Sequence, residues 1–516
     1  MGKGTNNHPA SPAAKGERVK KVTVRVLAVL VCLCVLSAML WGVGATTGIL
    51  QRSITMMTVG GTDISTLEFQ MYYRDALSNL MSTYGSYFQQ LGYNISTIEN
   101  QSADGNLTWG QTLHNNTVSQ LTELYTLYGE AKAAGYVMDD FARARADAYI
   151  ASIASIAQEN DMMTAKFIKT VYGNYVKESD LLEITERRFT ALGYYQQLKD
   201  GIQVSDTDIS SYYDEHKDDF DGVSYRYFNF PYKTVTYTAP ADGKQPAAGD
   251  PTSAEDATKM TEANKAEAKK LADDMLAGIT DEASFITLAR KNASAEDAEK
   301  YADDNATLIE GAKVASASGA LAEWYTEADR KTGDTAVIDN GNGYTVIYYL
   351  SRGRSEDPTV NVRHILIQTQ EASDTATDEE KAAIEKANAE AKTKAEKLLA
   401  DFKAGEATEQ AFALLAVKNS TDTGSSSQGG LYENVYSGQM VPEFDAWIFD
   451  SARRTGDVDI VPTEYGYHII YFVGNGPARW QGEVRDTLID NKYNEWKTET
   501  SVKYPATVNS FASKMF

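Results

Sequence analysis

The sequence predicts a multidomain α+β protein. A mainly helical lobe is followed by two copies of a module, each a small antiparallel sheet covered by helices, and an N-terminal transmembrane helix precedes them all. Three observations predict it. Residues 26–45 form an uncharged apolar run. Apolar and aromatic residues recur at helical spacing between 65 and 200. Two stretches in the second half of the chain repeat one another at constant spacing. A chain of 516 residues also exceeds what one hydrophobic core supports, so three or four domains are expected.

The run from Val26 to Ala45 is twenty residues long and without charge, enough to span a bilayer as a helix. Lys3, Lys15, Arg18, Lys20, Lys21 and Arg25 precede it, against Glu17 alone. That asymmetry predicts a cytoplasmic tail at 1–25, an anchor at 26–45 and a body outside the cell membrane. The rival reading is a cleaved signal peptide, with Val43-Gly44-Ala45 as the cleavage site. The apolar run is longer than a signal core, which favours a retained anchor.

The net charge is −23, and the basic tail makes the body more acidic still. Binding nucleic acid needs clustered Lys and Arg, so no nucleic-acid partner is expected. Both cysteines, Cys32 and Cys34, fall in the apolar run, so the body has neither a disulfide framework nor a thiolate zinc site. The histidines are His8, His114, His216, His364 and His468, with no metal-binding His-x-x-x-His spacing. No metal or other cofactor is predicted.

After Met57–Ile64, a short strand-and-turn signal, Asp63 or Ser65 is placed to cap a helix. Phe69, Tyr72, Tyr73, Leu77, Leu80, Met81 and Tyr84 then recur at helical spacing, and similar patterns follow at about 110–134, 139–157 and 163–200. The chain uses 31 tyrosines. These either fill helix interfaces or line a groove that holds unfolded chain without demanding a sequence. At the C-terminal end, Trp480, Val484, Leu488, Tyr493 and Trp496 form a helical stripe that needs a partner face, which the helical lobe offers.

The repeat keeps two constant shifts. Gly278, Phe285, Leu288, Lys291 and Asn292 recur 127 residues later as Gly405, Phe412, Leu415, Lys418 and Asn419. Trp324, Thr332-Gly333-Asp334 and Gly343-Tyr344 recur 123 residues later as Trp447, Thr455-Gly456-Asp457 and Gly466-Tyr467. Val223–Tyr227 parallels Asn361–His364. The copies are read as 222–353 and 360–475, each strand, helix, helix, loop, short helix, strand, with helices on one side of the sheet. A Pro/Gly/Ala-rich insertion at 238–252 reads as a surface loop.

The second copy carries Val362-Arg363-His364-Ile365-Leu366-Ile367, then Gly429-Gly430-Leu431-Tyr432, Gly438-Gln439-Met440-Val441-Pro442-Glu443-Phe444 and Gly466-Tyr467-His468-Ile469-Ile470. These motifs resemble the parvulin family of peptidyl-prolyl isomerases. The beginning of the lobe, VGGTDISTLEFQMYYRDAL, resembles that of the extracytoplasmic foldases related to PrsA and SurA. The resemblance implies a helical chaperone lobe at 50–221, a degenerate parvulin-like module at 222–353, an active one at 360–475 and a C-terminal helix, 479–516, packed on the lobe. It implies His364, Asp422 and His468 as catalytic residues and Tyr432, Met440 and Phe444 as substrate-binding ones. Two features depart from the family pattern: Leu431-Tyr432 follows the Gly pair in place of Asp-Leu, and Tyr465 replaces a small hydroxyl residue. Gln368, Gln370 and Glu371 stand after His364, so a phosphate-binding cluster is absent there. In the first copy Tyr227, Thr345, Ala317 and Leu321 occupy the places of His364, His468, Met440 and Phe444, which predicts a silent module.

Isomerising an X-Pro bond requires loss of amide resonance and no covalent step. A slot for the ring and fixed polar groups that favour the twisted amide suffice. The expected function is therefore a membrane-anchored foldase acting on unfolded secreted polypeptides that contain X-Pro. The alternatives are a non-catalytic holdase and an assembly factor with idle modules.

Overall fold

The computed structural model describes residues 48–238 and 249–515. The basic tail at 1–25 and the apolar run at 26–45 lie outside the described residues, as does most of the 238–252 insertion. Among the described residues no helix is long and apolar enough to cross a membrane. The chain divides into two compact units, one of residues up to Ile202 with Lys492–Phe516, the other Gln203–Asn491.

The first unit begins with α1 (Ile49–Ser53) and a hairpin of β1 (Thr55–Val59) and β2 (Thr62–Ser65). Gly60 and Gly61 have φ of 56° and 79°, the left-handed pair that a two-residue hairpin turn requires. Ser65 caps α2 (Thr66–Gln90), its Oγ accepting the Glu68 amide at 3.1 Å. Then come α3 (Trp109–Ala133), α4 (Asp140–Glu159), α5 (Thr164–Tyr172) and α6 (Glu178–Gly201). The single helical pattern read over 163–200 is thus two helices, broken where Gly173 takes φ 114°. Phe69, Leu121, Ile168 and Leu181 form the interior. Most tyrosines of the unit fill helix interfaces, Tyr72, Tyr125 and Tyr172 being buried, while Tyr84 and Tyr87 are exposed.

The second unit opens with α7 (Asp206–Glu215) and α8 (Lys217–Phe220), so these helices leave the lobe to which the sequence assigned them. One sheet follows from β3 (Gly222–Pro231), helices α9 (Ala254–Ala277) and α10 (Glu282–Asn292), β4 (Leu308–Lys313), α11 (Gly319–Tyr325), β5 (Thr335–Asp339) and β6 (Gly343–Gly353). The same series recurs as β7 (Pro358–Gln368), α12 (Asp378–Ala404), α13 (Glu409–Asn419), β8 (Leu431–Tyr436), α14 (Pro442–Ile448), β9 (Val458–Thr463) and β10 (Gly466–Ala478). The strand orders match, β4-β3-β6-β5 and β8-β7-β10-β9, and every pairing is antiparallel. The segment 431–436, within the stretch read as a loop, and the segment 458–463, which the sequence reading did not single out, are edge strands.

Each sheet is covered on both faces, not one. In the second module Ile365, Ile367, Ile469 and Tyr471 pack on Ala395, Phe402, Phe412 and Ala416. Their neighbours along the strands, Val360, Val362, Ile470 and Phe472, pack on Phe444 and Ile448 of α14. Central strands buried on both faces read as unbroken apolar runs, which is why β10 shows no alternation. An arginine ties strand to helix in each copy. Arg226 Nε donates to Glu282 at 2.6 Å and Arg363 Nε to Glu409 at 2.8 Å.

The last elements are α15 (Arg479–Ser501) and β11 (Ala506–Val508). The first turns of α15 bury Trp480 and Val484 against Ile209, Tyr213 and Phe220. Its last turns belong to the first unit, where Tyr493 meets Tyr195 edge-on at 4.9 Å. There β11 pairs with β1, Met57 opposite Val508, completing a three-stranded sheet that the sequence does not announce.

Phe412 is 0% exposed at the centre of the second module's helical face. Its replacement by Ala is expected to destabilise that module by about 3–5 kcal/mol, read from denaturant unfolding.

Candidate active site

His364 lies on β7 and His468 on β10, and both side chains face α14. In the antiparallel register His364 stands opposite Ile470 and His468 opposite Leu366, so the histidines are diagonal neighbours. Their Nδ1 atoms are 3.1 Å apart and the residues are 2% and 6% exposed. The loop after α13 brings in the carboxylate. Leu366 N donates to Ser420 Oγ at 3.1 Å and Thr421 N to Leu366 O at 2.9 Å, stitching the loop to β7 just before Asp422. Gly429 and Gly430 return the chain to the sheet, each with φ 70°. The Gly430 carbonyl accepts from His364 N at 2.7 Å, and a Cβ on Gly430 would collide with the His364 backbone carbonyl. Only glycine satisfies both the left-handed backbone and the close approach.

Asp422 Oδ2 collects donors. His364 Nε2 lies 2.9 Å away, Tyr432 OH 2.9 Å and Ser425 N 3.1 Å, and the Ser425 hydroxyl donates as well. Oδ1 accepts Gly424 N at 3.1 Å. The His364 bond, followed by those of Ser425, Gly424 and Tyr432, holds the carboxyl far below the usual carboxylate range against the opposing effect of burial. The proton positions follow. A carboxylate only accepts, so His364 Nε2 carries a hydrogen and, in the neutral ring, Nδ1 accepts. His468 Nδ1 therefore donates to it, and His468 Nε2 accepts from the Thr463 hydroxyl at 3.0 Å. The hydrogen bonds run one way, from Thr463 through both imidazoles to Asp422.

Burial, reinforced by the His364 ring, pushes the His468 imidazole down to about 4. Burial and the bond to Asp422 push the Tyr432 phenol up to about 12. Tyr432 also stacks on His364, ring centres 4.8 Å apart at 23°. It is thus joined to the polar cluster, where the sequence placed it only as a slot wall. Phe444 meets both imidazoles edge-on, at 5.6 and 5.3 Å, and is 2% exposed. Met440 is half-buried beside it in the same apolar group. All six residues singled out from the sequence therefore meet within one module.

Sequence reasoning missed Ser425, Thr463 and Arg363. Arg363 Nη1 donates to the carbonyls of Gln428 and Gly429 at 3.0 and 3.1 Å, holding the glycine turn. It had a signal, because Arg226 and Glu282 repeat Arg363 and Glu409. In the first module the corresponding polar centre is different: Asn340 donates to Thr345 Oγ1 at 2.9 Å and Asn229 accepts from it at 3.2 Å, with no ionisable group among them.

Two outcomes follow from this geometry. His468 is neutral in the fold down to about pH 4, whereas an unfolded histidine takes up its proton near 6.5. The unfolded state binds more protons across that window, so acidification from 6.5 to 4 removes stability, in total about 3 kcal/mol. Imidazole NMR titration should find the His468 midpoint near 4, and His468→Asn should flatten this part of the stability profile. Gly430→Ala is expected to lower the unfolding free energy by more than about 1 kcal/mol, read by denaturant titration.

Comparison with known proteins bears on this site. The model of the PPIC-type PPIase domain family matches residues 344–475. The foldase protein PrsA of Latilactobacillus sakei is 29% identical over 152 residues, which cover 29% of this chain and 42% of that protein. The foldase protein PrsA 3 of Bacillus cereus is 34% identical over 99 residues, 19% of this chain and 34% of that protein. The chain spans less than half the length of the curated relatives it matches. Among solved structures, peptidylprolyl isomerase PrsA from Bacillus anthracis covers 29% of this chain and 60% of its own at 21% identity and TM-score 0.17. A SurA-like chaperone from Campylobacter jejuni covers 86% and 94% at 13% identity and TM-score 0.16. The PPIC-type match thus begins in β6 of the first module and takes in the whole second module, whose fold is that of a parvulin-type domain, in a chain similar to the PrsA foldases.

Proposed function

We propose that this protein is a membrane-anchored extracytoplasmic foldase that isomerises X-Pro bonds in unfolded secreted polypeptides. The observation that carries the reading is the ionised Asp422, fixed by His364, Ser425 and Tyr432 beside the Met440–Phe444 face. In a planar amide the carbonyl oxygen carries negative charge and the nitrogen positive charge. A carboxylate held near that oxygen disfavours the charge-separated form and so favours the twisted amide. Met440 and Phe444 take the proline ring. The two histidines touch no substrate; they position Asp422 and keep its proton off.

In this reading 1–25 is a cytoplasmic tail, 26–45 the anchor and 50–202 the client-holding lobe. Residues 222–353 are a silent module that binds or spaces, because Tyr227, Thr345, Ala317 and Leu321 stand in place of the two histidines, Met440 and Phe444. A holdase without isomerase activity is the second reading, favoured by the burial of Phe444 at 2% exposure and by Tyr432 lying over His364.

A protease-coupled proline assay separates the two. The full chain should accelerate isomerisation, and Met440→Ala and Asp422→Ala should each lower kcat/KM by about tenfold or more, about 1.4 kcal/mol of transition-state stabilisation. Equal, uncatalysed rates for all three proteins would leave the holdase reading.

A further inference from the structure

The first unit carries a feature that isomerase chemistry does not use. Between Arg74 and Lys132 the sequence has no lysine or arginine, while Asp75, Glu99, Asp104, Glu123 and Glu130 fall there. This stretch forms most of α2, the 3₁₀ turn Ile95–Asn100 and α3. A cavity of about 570 Å³ opens among them, lined by Tyr73, Glu99, Leu107, Gln111 and His114 among others, none of them Lys or Arg. His114 Nε2 is buried there with no hydrogen-bond partner. Such an atom is uncommon in a folded protein and calls for an occupant.

One lining residue, Glu99, is a carboxylate. Glu99 accepts from the Tyr73 hydroxyl. Asp104 lies outside the cavity, exposed in the loop just before the lining residue Leu107; its Oδ1 accepts the amides of Leu107 and Asn106 at 2.9 and 3.0 Å, and these bonds hold its carboxyl below the usual range. Arg74, the base nearest in sequence, turns to the Val171 carbonyl at 3.3 Å. Apolar surface adjoins the cavity. Trp109, between the lining residues Thr108 and Gly110, lies 4.9 Å from Phe88, which meets Tyr84 and Tyr93 in turn. Tyr84, Tyr87 and Leu91 are each more than half exposed.

We propose that this cavity and its aromatic ridge dock an extended polypeptide segment in which a lysine or arginine neighbours apolar residues. The cation enters the cavity at Glu99 and the apolar neighbours lie on Tyr84, Tyr87 and Leu91. Charge complementarity selects this occupant: an acidic segment meets carboxylates with no cation to answer it, and the body as a whole is strongly acidic. The inference rests on the reading of the chain as a holder of unfolded clients and names which segments the lobe prefers.

The test uses the full chain and short fluorescent peptides of one Leu/Phe/Ser pattern with Lys, Gln or Glu at the centre. Anisotropy should show the Lys peptide binding about tenfold more tightly than the Glu peptide at low salt, and the preference should shrink as salt screens it. In Glu99→Gln/Asp104→Asn, which removes the charge but keeps one acceptor oxygen at each position, the preference should fall below about twofold while isomerase activity is unchanged. Equal affinity of all three peptides for wild type, or a preference that survives in the double variant, overturns this site but leaves client binding standing. Failure of every peptide to bind overturns both.

Discussion

One hydrogen, shared across the 3.1 Å between His364 Nδ1 and His468 Nδ1, sets the polarity of the second module's centre. It fixes both tautomers, because the Asp422 end of the chain can only accept and the Thr463 end is free to donate. Burial in a dry interior, reinforced by the neighbouring His364 ring, is why His468 resists protonation. The contact lies between the two central strands of the second module's sheet. Those strands carry one ring each, and α14 closes the same face with Phe444.

Much of this was legible in the sequence because β7 and β10 are buried on both faces and read as long apolar runs. His364 stands directly before Ile365-Leu366-Ile367 and His468 directly before Ile469-Ile470, and a histidine abutting such a run is conspicuous. The edge strands β8 and β9 were not legible. Leu431–Tyr436 holds one fully buried residue, Val435, so it lacks the alternation that marks a half-buried strand. Ser425 and Thr463 escaped for another reason. Serine and threonine are unremarkable at turns and strand ends, and only the folded loop brings these two against an imidazole. Tyr432 was visible as a departure from the family pattern, but its bond to Asp422 depends on β8 being a strand at all. The helix boundary near Ile202 was obscured because α7 and α8 are as amphipathic as the helices before them.

The duplicated module separates what holds the fold from what forms the centre. Both copies keep the arginine–glutamate tie between first strand and second helix, and both keep an arginine over a tryptophan, Arg330 on Trp324 and Arg453 on Trp447, at 3.8 and 4.1 Å. These contacts are indifferent to what occupies the sheet's polar positions. Asn229, Asn340 and Thr345 satisfy one another in the first copy as completely as the histidines and Asp422 do in the second. The scaffold therefore tolerates either filling without a change of strand order.

The pairing of β11 with β1 has a consequence for biogenesis. Thr58 and Thr507 touch although 449 positions separate them, and the whole second unit is threaded between. Closing so long a loop from a disordered chain carries a heavy entropic cost, which falls sharply once the intervening segment has become compact. A polypeptide that emerges amino end first must therefore leave its leading hairpin waiting, one edge uncovered, until the trailing residues arrive. The inserted modules mature early and the lobe that precedes them is sealed last.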